Sequence, residues 1–428
     1  MLLQHFVDRL RLGSLPPTHA VTQSLAAIAA REPAVRAWTH VAPQQTLLAQ
    51  AQGVDPGLPL AGVPFGVKDI IDVAGMPTRC GSNVTPDAPR AYDAACVDML
   101  RRAGAIPLGK TVTAEFAFKA PGPTTNPHNP AHTPGGSSSG SAAAVAAGMA
   151  PFALGTQTGG SMIRPAAYCG VVGFKPSFGL VPRDGMKLTC ESLDVIGWYG
   201  AELEDVACVA RVLLPDPAMG TASAGQGPLR VVLIPGAAIA PVQPEAEQAL
   251  EQAASALRQA GHAVRTLAPF AQAGALLQAH ATIMEYELAR NIAPVARLHG
   301  AGLSPQLEGT VRRGLGIGAR QYREARQLQA SMQRAWDALA GEADLIVTAS
   351  AGGTAPAGLG HTGDGVFNKI WSLLGWPSLH LPLARAAGSG LPVGVQLVGR
   401  HGQDALFLAL AARLRDALRA HVSDRQAA

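Results

Sequence analysis

Apolar residues recur at helical and strand spacings along most of the chain. An apolar run from Arg230 to Pro235 predicts a strand, and the amphipathic stretch from Gln243 to Ala260 predicts a helix that Gly261 ends. A second apolar run, His262 to Leu267, predicts another strand. Strands joined by a single crossover helix pair in parallel, so this unit indicates an α/β fold.

The rest of the pattern continues this alternation. The first 55 residues have a helical pattern, and we predict that these helices pack as a collar on the outside of the domain. The order of elements predicts a single large α/β domain with a central mixed β-sheet covered by helices on both faces. We predict further helices over 272–290, 321–340 and 403–420, and further strands over 344–348, 378–383 and 392–398.

Composition supports a packed core and narrows the class of protein. The chain holds 48 glycines and 33 prolines, about 19% together against roughly 12% on average, yet 48% of its residues are hydrophobic. This combination excludes a disordered chain and a collagen. Only 15% of the residues are charged, so burial of apolar surface has to supply most of the stability.

Net charge and cysteine content limit the expected partners. The formal net charge is +4 with no clustered basic run, so we expect no nucleic acid partner. The sequence contains no stretch of 18 apolar residues, so we predict no membrane span. The five cysteines form no Cys-x-x-Cys pair, and this pattern favours reduced thiols. We therefore expect a cytoplasmic protein that acts on a small molecule, alone or as a homodimer.

Two nucleotide-binding patterns occur in the wrong context. Gly104 to Thr111 has Walker A spacing, but its four intervening residues are apolar and include Pro107, which has no N–H for a phosphate. These residues look like the strand itself rather than the loop after one. Gly358 to Gly363 matches Gly-x-Gly-x-x-Gly but does not follow a strand. Neither pattern predicts a nucleotide site.

Residues 121–141 are rich in Pro, Gly and Ser and contain almost nothing that enters a core. Composition alone allows an interdomain linker. Within this segment, Gly136 to Gly140 fits the nucleophile elbow Gly-x-Ser-x-Gly around Ser138, but no strand precedes it and no Asp and His partners are evident. The Ala-rich stretch from Ala142 to Gly148 predicts that the segment ends at a helix N-terminus, where free N–H groups favour an anion.

A lysine and a serine account for more of the sequence than the nucleotide-binding and nucleophile-elbow patterns do. Lys68 is the only cation in the apolar run Gly62 to Ile71, so it either pairs with Asp69 at a sheet edge or is buried. Burial lowers the pKa of a lysine until the neutral amine can act as a base. Two glycines precede Ser161, and backbone N–H groups there can approach an oxyanion without obstruction.

Together these motifs resemble the amidase signature family. The resemblance rests on Gly135-Gly-Ser137-Ser-Ser-Gly-Ser141, on Gly159-Gly-Ser161 and on Gly-Val-Lys68-Asp, and it extends over Pro165 to Pro176, Ser192 to Asp194 and Gly394 to Gly399. It implies the amidase signature fold over residues 1–428. The implied regions are an N-terminal helical collar (1–55), a signature core (56–215), a variable substrate-shaping region (216–340) and the C-terminal part of the core (341–420).

The resemblance implies a triad of two serines and a lysine. Ser161 would attack the amide carbonyl, Ser137 would relay protons, and neutral Lys68 would be the ultimate base. The peptide bond between Gly136 and Ser137 would be cis. Backbone N–H groups of Thr158 to Ser161 would hold the oxyanion, and this chemistry uses no metal or organic cofactor.

One departure from the family pattern bears on the substrate. Many members have Asp before Thr-Gly-Gly-Ser and Arg two residues after the nucleophile, whereas this chain has Gln157 and, three residues after the nucleophile, Arg164. The shift resembles the malonamidase-like branch. Arg164 would then bind an acidic or polar group of the substrate beside Gly136 and Ser138. The alternative is a structural ion pair between Arg164 and a buried carboxylate such as Asp194.

The sequence therefore predicts a serine amidase that cleaves a carboxamide C–N bond, with small or acidic amides favoured. Hydrolysis of carbamates, aryl amides or esters stays open. A glutaminase subunit of an amidotransferase complex is the partner-dependent alternative, and an inactive scaffold is disfavoured because all three triad positions are present. We expect Met284 to Tyr286 and the Arg312-Arg313 loop to shape the substrate pocket.

Overall fold

The computed structural model describes residues 2–214, 216 and 218–427, with residues 420–427 described by their backbone alone. Within these residues eleven strands form one mixed sheet in the order β1-β3-β2-β4-β6-β5-β10-β11-β9-β7-β8. The strands are Trp38–Val41 (β1), Pro64–Lys68 (β2), Ile106–Thr111 (β3), Phe152–Gln157 (β4), Val172–Lys175 (β5), Val195–Gly200 (β6), Arg230–Leu233 (β7), Ala263–Thr266 (β8), Leu345–Ala349 (β9), Ser378–Arg385 (β10) and Pro392–Val398 (β11).

Helices cover the sheet, as the alternating pattern predicts, and short 3-10 turns occur at Glu115–Ala117, Gly236–Ala238 and Gly300–Gly302. No helix in the described part of the chain is long and apolar enough to span a membrane. The helices are Leu3–Arg11 (α1), His19–Val35 (α2), Gln44–Gln52 (α3), Ala95–Arg102 (α4), Ser139–Ala146 (α5), Ile163–Cys169 (α6), Leu203–Leu213 (α7), Pro244–Gln259 (α8), Ala273–His299 (α9), Pro305–Gly316 (α10), Ala319–Gln333 (α11), Trp336–Ala340 (α12), Val366–Leu373 (α13) and Asp404–Ala427 (α14).

The predicted β-α-β unit is confirmed. β7 and β8 pair in parallel, and α8 connects them. The helix buries Ala246, Leu250, Ala253 and Leu257, which recur at intervals of three and four residues and therefore share one face. Burial of this face against the sheet is what the amphipathic pattern required.

The structure extends the helix predicted over 272–290 to His299, and two other predicted elements differ in kind. The helix predicted over 321–340 is broken into α11 and α12, because Trp336 turns inward. The centroid of its ring lies 4.9 Å from that of the Trp376 ring, and its Nε1 donates to the carbonyl of Ala343 at 3.1 Å. The N-terminal collar also contributes a strand, since β1 pairs antiparallel with β3 at the sheet edge. The backbone N–H groups of Ala37 and Trp38 donate to the Glu32 carboxylate, which fixes the turn into β1.

The centre of the sheet positions the candidate site. Every residue of β2, β3 and β4 is buried, as expected for strands covered on both faces. β2 and β4 are parallel neighbours, with Val67 opposite Leu154. The carboxyl ends of parallel strands meet at the same edge, so Lys68 at the end of β2 lies beside the last residues of β4.

Candidate active site

Lys68 is fully buried and contacts two hydroxyl groups. Its Nζ lies 2.7 Å from Oγ of Ser137 and 2.6 Å from Oγ1 of Thr156. Burial lowers the pKa of Lys68 well below its ordinary value; Asp194 opposes this shift and Arg164 adds to it. Among the described residues no carboxylate lies within 4 Å of this amine, so no ion pair stabilises its ammonium form.

The sequence alternative that paired Lys68 with Asp69 is wrong. Asp69 forms its ion pair with Lys110, whose Nζ lies 2.9 Å from the carboxylate and also donates to Thr78. Lys110 is the lysine of the Walker-like pattern, and Pro107 and Leu108 before it lie in strand β3 as predicted. The pattern therefore belongs to a buried structural pair.

The Pro-, Gly- and Ser-rich segment folds into the site and is not a linker. The Gly136–Ser137 peptide bond is cis, as the resemblance implies, and the carbonyl of Ser137 accepts from Ala114 at 3.0 Å. The hydroxyl of Ser138 is fully buried and bonds to both the N–H and the C=O of Thr156 at 3.1 Å. Ser138 thus ties the segment to β4, and these contacts give its hydroxyl a positioning role.

Ser161 lies in a turn between β4 and α6, directly after Thr158, Gly159 and Gly160. A side chain at Gly160 would collide with its surroundings, because a Cβ there would lie 2.5 Å from Oδ1 of Asn368. Only glycine lets the backbone approach α13 so closely. In the described structure, the N–H groups of Gly159, Gly160 and Ser161 donate to no protein acceptor, so they are free for an oxyanion.

Gln157, which replaces the Asp of many family members, still acts as an acceptor. Its Oε1 receives the backbone N–H groups of Met162 at 2.8 Å and Ile163 at 3.1 Å. Its Nε2 donates to Oγ of Ser372 at 2.9 Å. The amide therefore satisfies the first N–H groups after the nucleophile and fixes the start of α6 without a charge.

Arg164 connects the two serine segments. Its backbone N–H donates to the carbonyl of Gly160 at 3.0 Å, and its guanidinium Nη2 donates to the carbonyl of Gly136 at 2.5 Å and to Thr362 at 3.2 Å. The predicted alternative of an ion pair with Asp194 is wrong. Asp194 instead accepts from the Thr158 hydroxyl at 2.5 Å and from the N–H groups of Thr189 and Cys190.

The comparison with known proteins decides the family. The sequence model of the amidase family matches residues 19–408. The chain belongs to the amidase family. One subunit of the glutamyl-tRNA(Gln) amidotransferase from Synechococcus sp. (strain RCC307) is 32% identical to this amidase, and the match covers 94% of each chain.

Solved structures agree with that assignment. One such structure comes from a vestigial protein complex that reveals the evolutionary origins of an s-triazine catabolic enzyme. It superimposes on this chain with a TM-score of 0.89. It is 27% identical, and the match covers 97% of this amidase and 98% of that chain. The peptide amidase of Stenotrophomonas maltophilia matches with a TM-score of 0.80 and 27% identity over 98% and 97% of the two chains. This amidase has the predicted fold and is a hydrolase of amide C–N bonds.

The structure adds residues to the site of this amidase that sequence reasoning missed. His280 from α9 donates through Nε2 to the carbonyl of Thr158 at 3.0 Å, and Ser372 from α13 donates to the carbonyl of Gly159 at 2.8 Å. The only signal in the sequence is a histidine and a serine on otherwise apolar helix faces. The sequence favours Met284 to Tyr286 instead, but Glu285 pairs with Arg313, which lies in helix α10 and not in a loop.

Proposed function

We propose that this amidase hydrolyses carboxamides through an acyl-enzyme on Ser161, with Ser137 as proton relay and Lys68 as base. One observation carries the proposal: the buried Nζ of Lys68 lies 2.7 Å from Oγ of Ser137 with no carboxylate partner within 4 Å in the described chain. A neutral amine has two N–H bonds and one lone pair. It can donate to Thr156 while its lone pair accepts the proton of Ser137.

The reaction then proceeds in two halves. Lys68 takes the proton of Ser137, which takes that of Ser161 as the Ser161 oxygen bonds to the carbonyl carbon. The C–N bond breaks as Ser137 gives its proton to the departing amine, and Lys68 returns the proton it holds to Ser137. Water then follows the same route, releases the acid and restores Ser161. The N–H groups of Thr158 to Ser161 stabilise the oxyanion in both halves; losing one such donor costs about 10²–10³ in rate.

Arg164 favours a small or acidic substrate. Its side chain is buried and donates to neutral oxygens, so the guanidinium has no counter-charge within 4 Å among the described residues. Its Nε has no partner there either. An anionic group on the substrate, beside Gly136, would supply that counter-charge.

A panel of amides tests the proposal. Ammonia or amine release is measured over malonamate, propionamide, an aryl amide and a carbamate, and a fluorophosphonate probe reports the reactivity of Ser161 through intact mass. We expect hydrolysis of at least one amide, with malonamate above propionamide, and complete loss in Ser161→Ala. Probe attachment or undiminished hydrolysis in Ser161→Ala would overturn the mechanism.

The amidotransferase relatives favour a second candidate function. In this alternative the protein is a glutaminase subunit that needs a partner, since its match to the Synechococcus amidotransferase chain spans 94% of both proteins. Release of ammonia from glutamine, together with co-purification of other subunits, supports this candidate. A monomeric or homodimeric protein that hydrolyses malonamate by itself supports the amidohydrolase, and size-exclusion chromatography distinguishes the two states.

A further inference from the structure

The loop that carries the nucleophile has a hydrogen bond at each of four consecutive carbonyl groups. The bond at Ser161 comes from the Tyr199 hydroxyl at 3.2 Å. The bonds at Thr158, Gly159 and Gly160 come from His280 at 3.0 Å, Ser372 at 2.8 Å and the backbone N–H of Arg164 at 3.0 Å, respectively.

Peptide planarity converts these carbonyl bonds into control of the N–H groups. The C=O of one residue and the N–H of the next belong to the same rigid plane and point in opposite directions. Fixing the carbonyl of Thr158 therefore aims the N–H of Gly159, and fixing the carbonyl of Gly159 aims the N–H of Gly160. These glycines lack side chains that would restrict them, so the external bonds have to set their orientation.

His280 suits this task in both burial and protonation. The side chain is 1% exposed, and its Nδ1 has no hydrogen-bond partner among the described residues. Because Nε2 donates to Thr158, the ring proton sits on Nε2. Burial lowers the pKa of His280 to about 4, so the ring stays neutral near pH 7 and adds no charge beside the oxyanion.

We propose that His280 and Ser372 are positioning residues that aim the oxyanion-binding N–H groups of Gly159 and Gly160 through the carbonyl groups of Thr158 and Gly159. This inference rests on the proposed function, since it presumes an oxyanion at those N–H groups. It assigns to the variable region a part in catalysis in addition to pocket shape, because His280 belongs to α9.

Two isosteric amides separate the hydrogen bond from the bulk of the side chain. His280→Gln places an amide N–H near the position of Nε2, whereas His280→Asn stops one methylene short, near the position of Nδ1. The readout is the second-order rate at which a fluorophosphonate labels Ser161: the Ser161 oxygen bonds to phosphorus, fluoride leaves, and the hydroxyl proton passes to the base. The phosphoryl oxygen then occupies the oxyanion position.

We expect His280→Asn to be labelled about 10- to 100-fold more slowly than the wild type, and His280→Gln within about threefold of it. The inhibition constant of phenylboronic acid, which forms a tetrahedral adduct with Ser161, should rise by the same factor in His280→Asn. Both variants should unfold at similar temperatures. The inference is overturned if the wild type and both variants are labelled at the same rate, or if His280→Gln is labelled as slowly as His280→Asn. Either result leaves the proposed function intact.

Ser372→Ala provides a second test if His280→Asn yields no folded protein. It removes the hydroxyl that donates to the carbonyl of Gly159 and accepts from Nε2 of Gln157. We expect labelling to slow about tenfold and the inhibition constant of phenylboronic acid to rise by the same factor. Unchanged labelling in Ser372→Ala counts against the inference. A wild type that the probe does not label overturns the proposed function and this inference together, and Ser161→Ala is the control for the site of labelling.

Discussion

Two buried lysines on neighbouring strands have different partners in this molecule. Lys68 ends β2 and Lys110 lies in β3, with Lys68 opposite Thr111 and Val67 opposite Lys110. Side chains that lie opposite each other share a face of the sheet, and successive residues alternate. Lys68 and Lys110 therefore face opposite sides, and Asp69, the residue after Lys68, reaches Lys110.

The difference shows that the neighbours of a buried lysine, and not its burial, decide its role. Burial lowers the pKa of both amines, but the Asp69 carboxylate at 2.9 Å opposes the shift at Lys110 and makes it half of an ion pair. Lys68 has two hydroxyls instead, and its pKa falls well below the ordinary value. One lysine therefore supports the fold, and we assign proton transfer to the other.

The largest effect is expected from Lys68→Met. Loss of the base should reduce hydrolysis and probe labelling at least about 10³-fold. Stability at pH 7 should not fall, because burial disfavours the charged form of Lys68 in the folded protein, a cost that methionine lacks. Probe labelling and urea denaturation measure the two quantities. A variant that keeps its rate would remove the distinction between the lysines.

Lys110→Met should show the reverse pattern. Removing the amine leaves the Asp69 carboxylate buried without a partner, so the free energy of unfolding should drop by about 3–5 kcal/mol. The labelling rate per folded molecule should stay within about threefold of the wild type. Adding Asp69→Asn should restore part of the stability, since it removes the stranded charge. Loss of labelling at full stability would mean that Lys110 belongs to the active site.

The pH dependence of the labelling rate also distinguishes Lys68 from Lys110. Below its folded-state pKa, Lys68 binds a proton and cannot accept one from Ser137, so the rate should fall about tenfold per pH unit on the acid side and level off above that pKa. We expect this limb in labelling of the wild type, with its midpoint below the ordinary lysine range because burial lowers the pKa of Lys68. Lys110→Met should keep the same limb, whereas a flat wild-type profile argues against a neutral lysine base.

The smallest effect concerns the second hydroxyl at Lys68. Thr156→Val removes the oxygen 2.6 Å from Nζ and should slow labelling roughly fivefold, the equivalent of one neutral hydrogen bond. Thr156→Ser keeps the hydroxyl and serves as the matched control. If Val and Ser behave alike, Thr156 contributes only packing, and the lone pair of Lys68 is oriented by Ser137 alone.

Local signals in the sequence were sufficient for much of this molecule. The α8 pattern gave the β-α-β unit, and the motifs around Lys68 and Ser137 gave residues that the structure brings into contact at 2.7 Å. The apolar context of Pro107 also identified β3 correctly. In these cases the deciding residues are close in sequence or fixed by the spacing of a motif.

The carbonyl anchors could not be predicted in the same way. His280 and Ser372 reach the nucleophile loop from 122 and 213 residues away, and neither lies in a motif. The pairing of Asp69 with Lys110 depended on strand register, which composition does not reveal. The break before Trp336 likewise follows from its packing on Trp376, a tertiary contact that overrides local helical preference.

The strand order also has a consequence for synthesis on the ribosome. β1 to β6 form one side of the sheet and β7 to β11 the other, and the two blocks meet where β5 pairs with β10. Lys68, Ser137 and Ser161 all emerge in the first block, before His280 and Ser372, which hold two carbonyl groups of the nucleophile loop, are synthesised. The nascent half thus carries the reacting groups without these two hydrogen bonds and exposes β5 as an unpaired edge, which is a site for aggregation until β10 arrives.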